Sequence, residues 1–405
     1  MMEATIAERS RGSVAPGPTL RQLSLYFLRL GATGFGGPVA LANAMRRDLV
    51  EERRWVSESE YDDGLAIAAA CPGPLAYQLG VYCGYIRFGV AGGLAAAVAF
   101  GAAPFAIVVA AAWAYTRFAA SWQLRALFYG VAPVVVALIV KACWNLGRKT
   151  LRRDPVAWAF FVVACTITAV LQKELTAIFI AAGLLGVFVF RSNPPPVAPL
   201  SSAPPPAMRP PALAVGFAGA VGGGMTVKLF AFFFKTGLLV FGSGLVIVPF
   251  LKTYVVDQYH WLGNRQFLDA VAIGMISPGP VVITATFVGY LLAGLPGAIA
   301  ATAGIFSPAV LFTIFATPIL RRYRANRGLS GFIRGVTVAV VGVLAGTTYL
   351  VAKTAVGDWL TVAITLASLS TVALWPKLPE PLLVGVGAVI GLIAYPLLLP
   401  GWVLG

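Results

Sequence analysis

Long apolar stretches separated by short polar loops make up most of this chain. An α-helix crosses a bilayer with about 20 predominantly apolar residues, so each of these stretches is a candidate membrane span. The clearest are residues 91–115, 127–144, 155–171, 175–190, 296–320, 336–352 and 381–400. The pattern predicts an all-α fold, that of a polytopic helical membrane protein.

Glycine and proline interrupt this pattern in four places, and the interruptions form two matching pairs. Residues 31–38 read Gly-Ala-Thr-Gly-Phe-Gly-Gly-Pro, and residues 237–244 read Gly-Leu-Leu-Val-Phe-Gly-Ser-Gly; we call these the glycine breaks. A Pro-Gly-Pro at 72–74 returns at 278–280, and we call these the Pro-Gly-Pro breaks. One offset of 206 residues (278 − 72) maps both pairs. The duplication predicts two homologous membrane repeats with broken helices and a site between them.

A proline-rich segment divides the two repeats. It reads Asn-Pro-Pro-Pro from residue 193 onward, a composition that favours an extended spacer over a helix. The predicted organisation is a polar N-terminal arm at 1–19, a first membrane repeat at 20–191, the linker at 192–211 and a second membrane repeat at 212–405.

The basic loops predict that the repeats are inverted. A dense basic cluster at 148–153 follows the fourth element of the first repeat, whereas the cluster at 321–327 follows the third element of the second. If positive loops stay cytoplasmic, the two repeats face opposite ways. Simple spans would separate the arginines at 46–54 from those at 148–153, so some broken segments must be re-entrant hairpins.

Composition supports the membrane assignment and excludes other classes of protein. The chain is 59% hydrophobic and 11% charged, with a mean hydropathy of +0.84, whereas soluble proteins carry roughly 25% charged residues. Its net charge of +15 fits basic cytoplasmic loops and would also draw an anionic substrate. A single histidine, His260, and four cysteines without metal-ligand spacing predict no metal site and no cofactor. We expect neither an enzyme nor a nucleic-acid partner.

The glycine breaks are the first candidate binding site. Glycines and a proline so close together end the helix and leave backbone N–H groups exposed. A half-helix that starts there points its N-terminal amides at the break, which suits an oxyanion. The alternative is a close packing contact between helices, and recurrence at a fixed offset favours the binding site. The candidate residues are Gly34, Gly36, Gly37, Gly242 and Ser243.

The Pro-Gly-Pro breaks are the second candidate. Proline is well tolerated at the start of a helix, so each break plausibly opens a half-helix; the alternative is a simple proline kink. Just beyond the breaks lie neutral side chains that could donate hydrogen bonds to an anion. The candidate residues are Pro72, Gly73, Pro74, Ser277 and Gly279, with Tyr77, Gln78, Thr284 and Thr286 beyond them.

Two matched pairs of charged residues accompany the breaks. Arg29 and Lys235 hold equivalent positions before the glycine breaks and could balance the charge of an oxyanion, although snorkelling to the headgroups is the alternative. Asp63 and Asp269 precede the Pro-Gly-Pro breaks and are candidates for proton coupling. The alternative for these carboxylates is a favourable interaction with the start of a helix dipole.

These motifs together resemble the chromate ion transporter family. The pattern Phe-x-x-x-Gly-x-x-x-Phe-Gly-Gly-Pro at 27–38, the loop residue Trp55 and the following Pro-Gly-Pro carry the resemblance, and the second half fits the long, two-domain members. It covers nearly the whole chain outside the arm and the linker. One departure is Ser243-Gly244 where the first half has Gly37-Pro38, so the halves would hold an anion unequally.

The resemblance implies a multi-pass protein of the bacterial inner (plasma) membrane that exports chromate and confers chromate resistance. The drive would be the membrane potential or the proton gradient, with the proton as coupling ion. Sulfate has the same charge and shape as chromate and is the alternative substrate. A passive anion channel and a chromate reductase built on Cys71 are further alternatives. Besides the lipid bilayer and the anion, a homodimer partner remains open.

Overall fold

The computed structural model describes residues 17–35, 37–118, 121–171, 175–190, 224–242, 244–317, 327–376 and 378–398. The predicted linker at 192–211, most of the N-terminal arm and most of the basic loop at 321–327 lie outside these ranges. Within them the protein is built of helices. Five helices of the described part are long and apolar enough to cross a membrane: Leu75–Phe118, Trp122–Thr150, Val281–Phe315, Ser330–Ala355 and Glu380–Leu397. The predicted all-α membrane fold is confirmed.

The two halves contain the same series of elements. The first half comprises α1 (Leu20–Thr33), α2 (Gly37–Met45, prolonged by the π-helical turn Arg46–Glu52), α3 (Glu58–Ala70), the two-residue strand β1 (Gly73–Pro74), α4 (Leu75–Phe118), α5 (Trp122–Thr150), α6 (Pro155–Leu171) and α7 (Leu175–Val189). The second half comprises α8 (Gly224–Gly237), β2 (Phe241–Gly242), α9 (Ile247–Phe250, prolonged by the π-helical turn Leu251–Gln258), α10 (Asn264–Ile276), the 3₁₀ turn Val281–Ile283 leading into α11 (Thr284–Leu311), α12 (Arg327–Ala355), α13 (Trp359–Leu374) and α14 (Glu380–Leu398).

The α4 helix is a hairpin of two antiparallel arms. Its helical backbone is interrupted at Phe88 and Gly89, where Gly89 has a φ of 60°. Gly84 and Gly92, on either side of this turn, lie so close that a Cβ on either would overlap the carbonyl of the other. Eight residues along a straight helix would be about 12 Å apart, so the chain must fold back here. The α11 helix turns in the same way at Gly294.

The α3 helix and the first arm of α4 form a hairpin with the Pro-Gly-Pro break at its tip. The α3 helix begins with a capping box in which Ser57 and Glu60 bond each other's backbone N–H groups. Arg87, at the end of the first arm of α4, forms an ion pair with the same Glu60. Both ends of the hairpin therefore lie on one side of the protein, which we call face I. Each arm of about 13 residues reaches about 20 Å, short of a bilayer's thickness of about 30 Å.

The glycine break forms the tip of a second hairpin, made by α1 and α2. The Tyr26 hydroxyl of α1 lies 3.3 Å from a carboxylate oxygen of Asp48, which follows α2. Arg46, in the same turn as Asp48, pairs with Glu58 at the start of α3. The open ends of both hairpins in the first half therefore lie on face I.

Equivalent helices of the two halves run in opposite directions. At an offset of 205 residues (327 − 122), α12 is the counterpart of α5. Tyr129, near the start of α5, donates a hydrogen bond to Asp358, just beyond the end of α12, at 2.7 Å. Arg334, near the start of α12, pairs with Asp154, just beyond the end of α5, at 2.6 Å. The start of each helix thus lies beside the end of its counterpart.

The Pro-Gly-Pro hairpins follow the same opposition. The second arm of α4 runs from face I to the opposite side, face II, where Ser121 caps the start of α5. Near the end of that arm, the Tyr115 hydroxyl donates to Asp269 near the start of α10, at 2.8 Å. The second Pro-Gly-Pro hairpin therefore opens on face II, whereas the first opens on face I.

Candidate functional site

Each Pro-Gly-Pro break docks against the glycine break of the other half. The Gly73 N–H donates to the carbonyl of Val240 at 2.5 Å, and the Gly279 N–H donates to the carbonyl of Gly34 at 2.9 Å. The offset of 206 residues converts one bond into the other. Because helical hydrogen bonding stops at the breaks, each half satisfies backbone groups that the other half leaves unpaired.

The docking on the first Pro-Gly-Pro continues as a short parallel ladder. In this ladder β1 pairs with β2, so that Gly73 lies opposite Phe241 and Pro74 opposite Gly242. Four segments from two halves thus meet in one place. This brings together most of the glycine and proline residues that the sequence singled out. Gly36 and Ser243 lie outside the described residues.

Only glycine fits the centre of each Pro-Gly-Pro. Gly73 has a φ of 137° and Gly279 a φ of 89°, in the region that other residues rarely adopt. A Cβ on Gly73 would lie 2.7 Å from the Cβ of Ala309, and one on Gly279 would lie 2.7 Å from Cγ of Pro104. In both cases the neighbour belongs to the opposite half. The glycines therefore allow the halves to touch backbone to backbone.

Helices begin at these breaks. The α4 helix starts immediately after Pro74, and α2 starts at Gly37, which has a φ of 78°. Pro280 caps the 3₁₀ turn that leads into α11. The first N–H groups of a helix have no partner within it, and they carry the positive end of its dipole. The arrangement supplies positive potential from the backbone alone.

Neutral polar side chains line the docking region. Gln78 is fully buried and donates from Nε2 to the carbonyl of Pro72 at 2.7 Å. Its Oε1 is a buried acceptor without a hydrogen-bond partner among the described residues. The counterpart Thr284 is also fully buried and donates to the carbonyl of Val281 at 2.8 Å. Ser277 donates from Oγ to the carbonyl of Pro278 at 3.0 Å.

Aromatic packing surrounds the neutral groups. Tyr77 stacks against Phe306 of the other half with ring centroids 4.3 Å apart, and its hydroxyl donates to the carbonyl of Ala97 at 3.1 Å. Thr286 shares a hydrogen bond with Thr302 at 2.7 Å. The hydroxyls of Tyr77 and Thr286 are therefore already engaged within the protein.

Arg29 and Lys235 lie on the exposed sides of their helices. Both side chains are exposed, whereas Phe27 and Leu30 on the same turn of α1 are buried. The ammonium of Lys235 lies 5.7 Å from the centre of the Tyr254 ring. The structure does not gather the two cations among the buried groups of the breaks. The i, i+3, i+4 pattern of apolar residues in α1 already contained this signal.

Asp63 and Asp269 are both buried, with 1% and 2% exposure. The partner of Asp269 is Tyr115 of the first half, so this carboxylate lies at a contact between the halves. The sequence gave no sign of this pair, because 154 residues separate its members. A second missed pair, Arg46 with Glu58, has the counterpart Lys252 with Asn264 at 3.0 Å, which the offset of 206 residues could have revealed.

No metal site occurs in the part of the chain that the structure describes, since no three His, Cys, Asp or Glu side chains cluster there. The docking region therefore offers backbone amides, helix starts and neutral donors. This chemistry suits an anion that must be held and released without a fixed buried countercharge.

Comparison with known proteins identifies relatives along nearly the whole chain. The family model described as chromate transporter matches residues 21–187 and again 227–392. Each match covers one of the two halves described above, which confirms the duplication.

Three curated relatives illustrate the similarity. The chain is 43% identical to a chromate transport protein of Cupriavidus metallidurans over 96% of both chains. It is 40% identical to a probable chromate transport protein of Synechococcus elongatus, covering 94% of this chain and 97% of that one. It is 32% identical to a chromate transport protein of Pseudomonas aeruginosa, covering 83% and 82%. No solved structure matches.

Proposed function

Since the chain belongs to the chromate transporter family, we propose that it exports chromate from the cytoplasm across the bacterial inner membrane by secondary active transport and so confers chromate resistance. The observation that carries this proposal is the reciprocal docking of the broken segments, with Gly73 bound to Val240 and Gly279 bound to Gly34. Backbone that is irregular at membrane depth is tolerated where it is buried in protein or lines a cavity, and such breaks form the binding sites of many transporters.

The proposed binding site is the docking region itself. Chromate would accept hydrogen bonds from N–H groups at the starts of α2, α4 and α11, and from neutral donors near Gln78 and Thr284. Because the donors are uncharged, the dianion keeps enough free energy to leave again. A fixed buried cation would hold it more tightly and slow its release.

The membrane potential is a sufficient drive for export. Moving one charge through 100 mV is worth about 2.3 kcal/mol, so a dianion leaving a negative interior gains about 4.6 kcal/mol. Every 1.4 kcal/mol corresponds to a tenfold ratio, and the potential alone would therefore sustain a gradient of roughly a thousandfold. Proton coupling through Asp269 would add to this drive.

Chromate export is tested with the purified protein in proteoliposomes. We expect chromate to move against its gradient when a potential is imposed with a potassium-loaded vesicle and valinomycin, and to stop when the potential is collapsed. Movement only down the chromate gradient, whatever the potential, would indicate a passive channel.

Sulfate is the second candidate substrate, because a neutral set of donors distinguishes poorly between tetrahedral dianions of equal charge. Labelled sulfate is offered alone and as a competitor in the same vesicles. If excess sulfate leaves the chromate flux unchanged, sulfate is not a substrate. If sulfate is carried and chromate is not, the proposed export of chromate is wrong.

We further propose that the two halves are inverted repeats in the membrane, with face I cytoplasmic. Lys149 and Thr354 are counterparts at the offset of 205 residues, and both are exposed. Single cysteines at these positions are expected to react with an impermeant thiol reagent from opposite sides: Lys149→Cys from the cytoplasm and Thr354→Cys from outside. Labelling of both from the same side would contradict the inversion.

A further inference from the structure

A cavity on face II lies between the two halves, away from the docking region. Its volume is about 370 Å³, and its walls come from α5, α10, α14 and the turn between α12 and α13. Arg125 of the first half and Arg265 of the second both line it. Neither guanidinium forms an ion pair or hydrogen bond with any residue in the described ranges.

The two arginines are not a requirement of the repeat. The counterpart of Arg265 at the offset of 206 residues is Ser59, and that of Arg125 at the offset of 205 residues is Ser330. Elsewhere the duplication retains structural details, including the left-handed residues Arg54 and His260, which are also counterparts. The arginines therefore mark a feature of face II alone.

The carboxylates of the cavity are already bonded to other groups. Asp269 accepts from the Tyr115 hydroxyl, and Asp358 accepts from the Tyr129 hydroxyl at 2.7 Å and from the Thr361 N–H at 2.8 Å. Burial alone would raise the pKa of Asp358, but these hydrogen bonds lower it below its ordinary value. Both acids thus have hydrogen-bond donors of their own and leave the guanidinium groups available to another anion.

We infer that this cavity is an oxyanion vestibule, in which Arg125 and Arg265 hold a tetrahedral dianion on its way between the docking region and face II. The inference deepens the proposed function by adding a second anion site to the same path. A cavity of 370 Å³ has room for roughly a dozen waters at about 30 Å³ each, so the anion would keep part of its hydration shell. A site of this kind binds weakly and releases quickly.

Molybdate is a suitable probe, because it is a tetrahedral dianion that does not oxidise thiols as chromate does. Thr354 lines the cavity, and a cysteine at this position in the full-length protein reports on access to it. We expect molybdate to slow the reaction of Thr354→Cys with an impermeant thiol reagent. Adding Arg265→Gln should raise the molybdate concentration that gives half protection about tenfold, the lower end of the range for a hydrogen bond to a charged group.

Matched variants separate the charge from the fold. Arg265→Lys keeps the charge and should retain most of the protection, and Arg125→Gln should act like Arg265→Gln. Arg117→Gln removes an exposed arginine near the same face, outside the cavity lining, and should change nothing. Sodium chloride at equal ionic strength controls for general screening.

The inference is overturned if molybdate gives no protection at any concentration, or if Arg117→Gln weakens protection as much as Arg265→Gln. It is also overturned if both glutamine variants are protected as well as the parent. These outcomes do not depend on chromate flux. A protein that transports chromate without protection refutes the vestibule alone, and one that is protected without transporting chromate refutes the proposed function alone.

Discussion

Replacing Gly73 or Gly279 with alanine is expected to abolish transport. Both residues have a positive φ, and a Cβ on either would lie 2.7 Å from a side-chain carbon of the opposite half. Backbone strain and overpacking each cost about 1–3 kcal/mol, so every variant loses a few kcal/mol of the free energy that docks the halves. The measurement is chromate flux in proteoliposomes together with the melting temperature in detergent.

The matched control is Gly101→Ala, in the second arm of α4. A Cβ at Gly101 would meet nothing within 4 Å, and alanine favours a helix more than glycine does. This variant should transport like the parent and be at least as stable. Normal flux in Gly73→Ala and Gly279→Ala would mean that the breaks are packing contacts rather than the binding site.

Replacing Asp269 with asparagine is expected to remove the dependence of chromate flux on an imposed proton gradient. Asparagine has nearly the same shape and can still accept the hydrogen bond from Tyr115, so the contact between the halves should survive. It cannot bind and release a proton. One pH unit is worth about 1.4 kcal/mol per proton, so the parent's accumulation should change up to tenfold per unit and that of Asp269→Asn by less than about twofold.

The counterpart Asp63 provides the comparison for this experiment. Asp63→Asn changes an equally buried carboxylate at the matching position of the first half, whose hairpin opens on face I. If only Asp63→Asn loses the pH dependence, the coupling carboxylate lies in the first half and the assignment of Asp269 is wrong. If the parent shows no pH dependence, export is driven by the potential without protons.

Sequence reasoning identified the broken segments because their cause is local. Glycine and proline disfavour a continuous helix wherever they stand, so the breaks at Gly34 and Gly73 and their counterparts could be located without coordinates. A fixed offset likewise needs no structure, and it paired Gln78 with Thr284 before either was known to be buried.

The sequence was less informative about which way side chains point. Spacing suggested Arg29 and Lys235 as partners of the breaks, but the structure places both on exposed helix surfaces. Position along a helix fixes depth, whereas the 100° rotation per residue fixes direction, and only the second decides what a side chain contacts. The arginines of the vestibule show the same limit, because Arg125 and Arg265 come from different halves and stand near each other only after folding.

The sequence by itself determined that this is a helical membrane protein made of two similar halves with breaks at defined residues, since hydrophobicity, glycine and proline act locally. Only the tertiary structure decided that Gly73 bonds to Val240, that Gly279 bonds to Gly34, and that Tyr115 reaches Asp269. Those partners lie more than a hundred residues apart. Their pairing depends on how the two halves pack against each other, which no local pattern encodes.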